Sequence, residues 1–501
     1  MYRVCPDRRQ LRWADCVACH AQSQAYPVSP ARTISASGDR TAPVTWQGCL
    51  RAGRGCLSAG HADIAVSRLQ EADRLRPGHK PILQALAVAW LRASHPAPAL
   101  ACFDQLLSIT PQDWQAQHGR GLALHALQDR TAALAAFRAV VSRHPDAWRT
   151  WGSIADITPH EAERVQAVQG AADSLLRLCS TGEGEPRRHA DCANVLLDAH
   201  RGREAIAFIT SSVPRFKDAA TAQESLARAY YELGDFREAL RYKQRALSMG
   251  CPDVPAPRPQ PRFSPDAAVG ALSGIGKILN SAGISYFLAA GTLLGFHREG
   301  APLAYDRDVD IGILANGFGS PDVARVIRDH PALMLSRRAR PGDRYFAIVF
   351  QGIAIDIFVY EPCDGGLHCG LGRLAGDVAW RFTPFGVKTA DFQGRNWHIP
   401  DDPERYLTET YGPGWQTTDA GFASVLSSPA LFRVDPYVRA YYALSRAHKS
   451  RVSGDEAKAR ALLRQSPVPV ELTDPGTSMA LPPCADRDTT FFSAEKNEEG
   501  G

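Results

Sequence analysis

The sequence predicts a multidomain protein in which an all-α helical repeat array precedes an α+β unit. Three observations carry that fold class. Pro77, Pro111 and Pro145 are spaced by 34 residues each time, inside a helix-like apolar pattern. A proline-dense stretch, CPDVPAPRPQPRFSP at 251–265, then breaks the pattern as an extended linker would. Beyond it, short apolar runs carry aspartates at intervals, which reads as buried strands holding a polar site. The length agrees, since 501 residues are roughly three domain-equivalents at about 150 residues each.

Composition narrows the classes. Hydrophobic residues make up 45% and charged ones 22%, with 41 Gly and 35 Pro, which excludes collagen-like and wholly disordered chains. Lys plus Arg number 57 against 53 Asp plus Glu, a net charge of +4, so no global basic field calls for nucleic acid. No uninterrupted apolar stretch is long enough for a transmembrane segment. The start, MYRVCPDRRQLRWADC, lacks the apolar core of a secretory signal. A cytoplasmic protein is expected, at most peripheral at the inner membrane face. The twelve cysteines are scattered, which favours reduced thiols. Cys16-Val17-Ala18-Cys19-His20 has the spacing of c-type haem attachment, but without an export signal it reads as coincidence. Cys363, His368 and Cys369 fall one ligand short of a closed zinc site.

Taken in order, residues 1–45 show no periodicity and read as a loose segment. Over 46–252 each phased proline is preceded at fixed offsets by Ala65, Ala99 or Ala133 and by Leu69, Phe103 or Phe137. Small residues permit close helix crossing, large ones fill the gap, and proline stops the second helix of each pair. The phase returns in SLARAYYELGDFREALRYKQRAL and degenerates between 148 and 219. This 34-residue pattern resembles the tetratricopeptide repeat, with five or six units. Such a solenoid offers a concave face to a protein or peptide partner. A linker over 253–264 follows, and Ser264-Pro265-Asp266 is a good start for a helix running to about Ala282. The α+β unit is placed at 265–425, accessory helices at 426–465 and a disordered tail at 466–501.

The chemistry concentrates in the α+β unit. Residues 283–290 read as a strand ending on Gly291-Thr292, where backbone N–H groups and a hydroxyl at a helix start suit a phosphate. In Tyr305-Asp306-Arg307-Asp308-Val309-Asp310, alternation puts Asp306, Asp308 and Asp310 on one strand face and Arg307 on the other. Clustered carboxylates raise one another's pKa, so a cation such as Mg²⁺ or Mn²⁺ is expected to neutralise them. Asp356, alone among apolar residues in AIDIFVY, is a further metal ligand or a proton acceptor.

At this point FLAAGTLLGFHREGAPLAYDRDVDIGIL, then AIDIFVY, then the stretches around Trp397, Tyr411 and Trp415, resemble the LicD and fukutin-related family over about 285–416. The resemblance implies a nucleotidyltransferase fold related to the polymerase β palm. It further implies transfer of a phospho-alcohol, phosphocholine-like or ribitol-phosphate-like, from a CDP-activated donor to a glycan or cell-envelope polysaccharide such as lipopolysaccharide. Asp308, Asp310 and Asp356 would be catalytic, all three with Asp306 the metal ligands, and Gly291, Thr292 and Arg298 would bind phosphate. Tyr305 and Arg307 stand where the family often has Trp and an acid. Trp397, Tyr411 and Trp415 read as core or rim aromatics. Two other readings stay open: transfer of a nucleotidyl group from a nucleoside triphosphate, and a repeat-based scaffold with an inactive transferase unit.

Overall fold

The computed structural model describes residues 45–180, 186–250, 263–315, 322–363 and 365–472. The N-terminal segment but for its last residue, the Cys16–His20 motif, most of the prolyl linker and the tail beyond 472 lie outside the described residues. From Trp46 the chain forms antiparallel helix pairs: Trp46–Ala59 and Ala62–Leu75 (α1, α2), Lys80–Arg92 and Pro96–Ile109 (α3, α4), then Trp114–Ala126 and Arg130–Arg143 (α5, α6). The series continues with Trp148–Ile157 and Glu161–Ser180 (α7, α8), Pro186–Asp198 and Gly202–Ser212 (α9, α10), and Ala219–Glu232 and Phe236–Ser248 (α11, α12).

The phased residues do what their sizes dictate. Ala65, Ala99 and Ala133 are fully buried, with Leu69, Phe103 and Phe137 wedged beside them. A Cβ at Gly119 would lie 2.3 Å from the Phe103 ring, and one at Gly121 2.5 Å from that of Phe137, so these crossings tolerate only glycine. Each phased proline follows two residues after the end of α2, α4 or α6. The repeat degenerates at α7 and α8, of 10 and 20 residues, yet the pair survives.

The α+β unit opens with Pro265–Ser281 (α13), capped by the Ser264 hydroxyl accepting from the Ala267 N–H. A sheet runs in the order β1 (Phe287–Leu288), β2 (Asp308–Leu314), β4 (Ile353–Cys363), β5 (Gly366–Gly370), β6 (Ala379–Phe382), with β3 (Tyr345–Phe350) also paired to β4. Strands β2 and β4 are parallel; β3 and β4 form a hairpin whose turn residues Gln351 and Gly352 both have positive φ. The strand expected over 283–290 is only two residues long. Helix α14 (Ala290–Glu299) already begins at Ala290, whose φ of 39° makes the junction abrupt. Helix α15 (Val323–Asp329), the hairpin β7 (Val387–Phe392) with β8 (Arg395–Pro400), α16 (Pro403–Tyr411) and the short α17 (Ser424–Ser427) complete this unit.

Residues expected as accessory helices form a further repeat-like pair, Pro436–Val452 and Glu456–Arg464 (α18, α19). Helix α18 packs on α12 as the next repeat would. The turn is built alike: Gly454 and Gly234 both take φ near 80°, at 82° and 78°, and Asp455 and Asp235 each cap the following helix. Ala459 is fully buried, as is Ala239 at the same offset. The α+β unit is therefore inserted between two helix pairs that pack together. Loop 330–343 ties it down further. Arg164, buried in α8, donates to the carbonyls of Arg337 (3.0 Å) and Ala339, and Arg337 makes a bidentate pair with Asp156 at 2.7 Å on both oxygens.

Candidate active site

Four carboxylates converge at one place in the sheet. Parallel pairing sets Asp310 directly beside Asp356, so their side chains leave the sheet on the same face, and Asp308 shares it two residues earlier. Asp306 reaches the cluster differently from the expected alternation. It precedes β2, in a turn closed by its own N–H donating to the Leu303 carbonyl at 2.9 Å. Arg307 is exposed, and its backbone N–H donates to Asp306 Oδ1 at 3.0 Å. All four carboxylates are buried, Asp356 to 1% exposure. Burial, then the charges of Asp308, Asp356 and Asp306, raise the Asp310 carboxyl well above the usual range. Burial and the Asp308 charge push Asp306 up to about 7.

The Gly291–Thr292 start of α14 is turned onto Asp310. The Gly291 N–H donates to Asp310 Oδ2 at 2.9 Å, and Thr292 Oγ1 accepts the Asp310 N–H at 2.7 Å. These two groups, expected to face phosphate, thus first position a carboxylate. The reason is the short β1, which brings the helix start down beside β2. Arg298 is likewise committed to protein: its guanidinium donates to the carbonyls of Trp415 and of Thr417, the latter at 2.9 Å. Trp415 and Trp397 are buried against His297 and Phe296, as core aromatics.

A small cavity of about 60 Å³ lies over Asp308, Asp310 and Asp356. Its walls include residues that the sequence did not single out as site groups. Tyr406 accepts the Ala290 N–H at 3.2 Å and shares a 2.7 Å hydrogen bond with Tyr360. Tyr411 lies beside them, its hydroxyl raised by burial and then by the Asp310 charge. Arg446, on α18, is lowered by burial to about 10, with Tyr442 and then the Asp308 charge working the other way. Nothing in the local sequence around Arg446 signals that environment, because it depends on where α18 packs.

The donor set suits a hard cation, since buried carboxylates this close to one another keep their protons unless positive charge replaces them. Among the described residues no three His, Cys, Asp or Glu side chains are already drawn into a metal cage. Cys363, His368 and Cys369 form no cage either; Cys369 is buried and its thiol pushed up to about 12 by burial.

Comparison with known proteins bears on the same residues. Residues 283–364 match the family described as LicD/FKTN/FKRP, nucleotidyltransferase domain. Curated relatives named ribitol-5-phosphate transferase FKTN, from Macaca fascicularis and Homo sapiens, are each 28% identical over 148 residues. That stretch covers 28% of this chain and 31% of either relative, so the chain matches about a third of their length. A tetratricopeptide repeat protein from Parabacteroides merdae is 16% identical, covering 42% of this chain and 82% of its own, with a TM-score of 0.29. Pseudomonas aeruginosa pilF is 16% identical, covering 42% and 92%, with a TM-score of 0.30. No helix among the described residues is long and apolar enough to cross a membrane. The span from the start of β1 through β4, with Asp306, Asp308, Asp310 and Asp356 inside it, is the part of this chain similar to the LicD/FKTN/FKRP nucleotidyltransferase domain.

Proposed function

We propose that the protein catalyses metal-dependent transfer of a phospho-alcohol from a CDP-activated donor to a glycan hydroxyl. The observation that carries this reading is the buried Asp310–Asp356 pair on adjacent parallel strands, flanked by Asp308 and Asp306. Asp308 and Asp310 would hold Mg²⁺ or Mn²⁺, with Asp306 supporting them. The ion would neutralise the donor diphosphate and the charge that develops as CMP leaves. Gly291 and Thr292 keep Asp310 aimed at that place. Asp356 serves as a further ligand or takes the proton of the attacking hydroxyl. The ribitol-5-phosphate transferases among the relatives make ribitol phosphate the first group to test. A cytoplasmic location, at most peripheral at the inner membrane face, goes with a nucleotide-activated donor.

The full chain with Mg²⁺ is expected to release CMP from at least one of CDP-ribitol, CDP-glycerol and CDP-choline. Asp310→Asn should lower turnover by about a thousand-fold or more while circular dichroism stays unchanged. Release of pyrophosphate from nucleoside triphosphates alone would replace this reading with nucleotidyl transfer. No turnover together with no metal binding would leave a scaffold.

A further inference from the structure

Between the repeat array and the α+β unit lies a much larger cleft, of about 720 Å³. Its floor is β3. Tyr345 and Ala347 of that strand pair directly with Phe358 and Asp356, so their side chains stand on the sheet face that carries the acids. The Tyr345 and Phe358 rings are 5.3 Å apart, and Phe358 also lines the small cavity over the aspartates. The two spaces are thus neighbours on one face. One wall comes from the repeats, through Arg228 and Tyr231 of α11; another is Tyr442 of α18; the loop 335–343 adds Arg338 and Arg340.

The lining has a consistent chemistry. Flat tyrosine faces suit sugar rings, which pack on aromatics through their C–H faces while hydroxyls reach polar edges. The guanidinia suit an anion. Arg338 pairs with Glu232 at 3.0 Å and Asp198 at 3.3 Å, yet its buried Nη2 has no hydrogen-bond partner among the described residues. Arg340 is exposed; its backbone N–H donates to Asp343 at 2.8 Å and its charge acts on that carboxylate. The three carboxylates in the wall are partly spent: Glu232 on Arg338, Asp377 accepting from the Tyr231 hydroxyl, and Asp343 accepting the Arg340 N–H and facing Arg373 at 4.0 Å. A buried donor left without a partner costs stability unless a ligand meets it.

We infer that this cleft is the acceptor subsite and that it takes a sugar bearing an acidic group, phosphate or carboxylate. The tyrosines hold the ring and Arg338 with Arg340 hold the anion. The inference rests on the transfer reading above for the word acceptor, and it makes α11 of the repeat array a wall of the substrate site.

Calorimetric titration of the full chain, without donor or metal, tests it apart from turnover. The probes are glucose 6-phosphate and glucuronate, which distinguish the two anions, with glucose as the neutral control. At least one acid is expected to bind saturably and about ten-fold or more tighter than glucose. Arg340→Ala should weaken that binding by about ten-fold, Arg340→Glu should abolish it, and neither should shift the melting temperature. Asp310→Asn should leave it within about two-fold, while abolishing Mg²⁺-dependent binding of CDP. Absence of saturable binding of both acids, equal binding of glucose, or indifference to both Arg340 variants overturns the inference. So does Arg340-dependent competition by metal-free CDP, which would make the cleft a nucleotide site. A chain that binds the acid but releases no CMP would defeat the transfer reading and leave the binding site standing.

Discussion

Asp310 shows how much structure one buried carboxylate requires. Its backbone N–H is held by Thr292 and its Oδ2 by the Gly291 N–H, so its rotamer is set before any ligand arrives. Thr292→Val keeps the shape but leaves the buried Asp310 N–H unsatisfied. A loss of about 1–3 kcal/mol is expected in denaturant titration, with turnover falling further than stability accounts for. Titration offers a second check. The folded Asp306 carboxyl sits at about 7, above its ordinary 3.8, so the folded chain binds the extra proton between those values. Its contribution to stability is therefore present at low pH and lost as pH rises through about 7. Mg²⁺ must displace that proton, so the Mg²⁺-induced rise in melting temperature should grow from about pH 6 to about pH 8. Asp306→Asn should flatten that growth; an equal Mg²⁺ effect at both pH values would contradict the assignment.

At the scale of elements, the repeat helices depend on a few buried groups that do not belong to the repeat pattern. His118 on α5 is completely buried, with Nδ1 2.8 Å from Thr150 Oγ1 on α7, and burial lowers it from 6.5 to about 3. The unfolded chain therefore takes up a proton that the folded one refuses between these values. The stabilisation is complete above 6.5 and declines as pH falls below it. The melting temperature should drop on acidification from about pH 6.5 to about pH 4, and His118→Gln should reduce that slope. The phased Ala, Leu and Phe positions were legible in the sequence because a helix writes its contacts into residues three and four apart. The α18–α19 pair was less legible, although Gly454-Asp455 and Ala459 reproduce the offsets of Gly234-Asp235 and Ala239. A single pair has no neighbours in sequence to establish a period.

For the whole molecule, the array and the α+β unit are joined by buried arginines. The Asp156–Arg337 pair is only 11% and 22% exposed, and Arg164 spans three carbonyls of loop 336–339. A double-mutant cycle with Asp156→Ala and Arg337→Ala should give a coupling energy of about 1–3 kcal/mol in chemical denaturation. The intact chain should unfold in one transition, whereas Arg164→Ala should separate the array from the sheet unit into two. A single transition in that variant would show that the remaining ties, Asp156–Arg337 and α12 against α18 among them, suffice to couple the two units.

The sequence by itself determined the repeat phase, the helix start at Ser264-Pro265, and the four aspartates of the candidate site. Each is a local pattern, fixed by spacing along a helix or strand or by the cost of crowding like charges. Only the tertiary structure decided that Gly291 and Thr292 hold Asp310, and that Arg298 is tied to the Trp415 loop. The same holds for the cleft, whose arginines and tyrosines come from α11, loop 335–343, β3 and α18. These groups are far apart in the chain and meet through packing between elements, for which no sequence period exists.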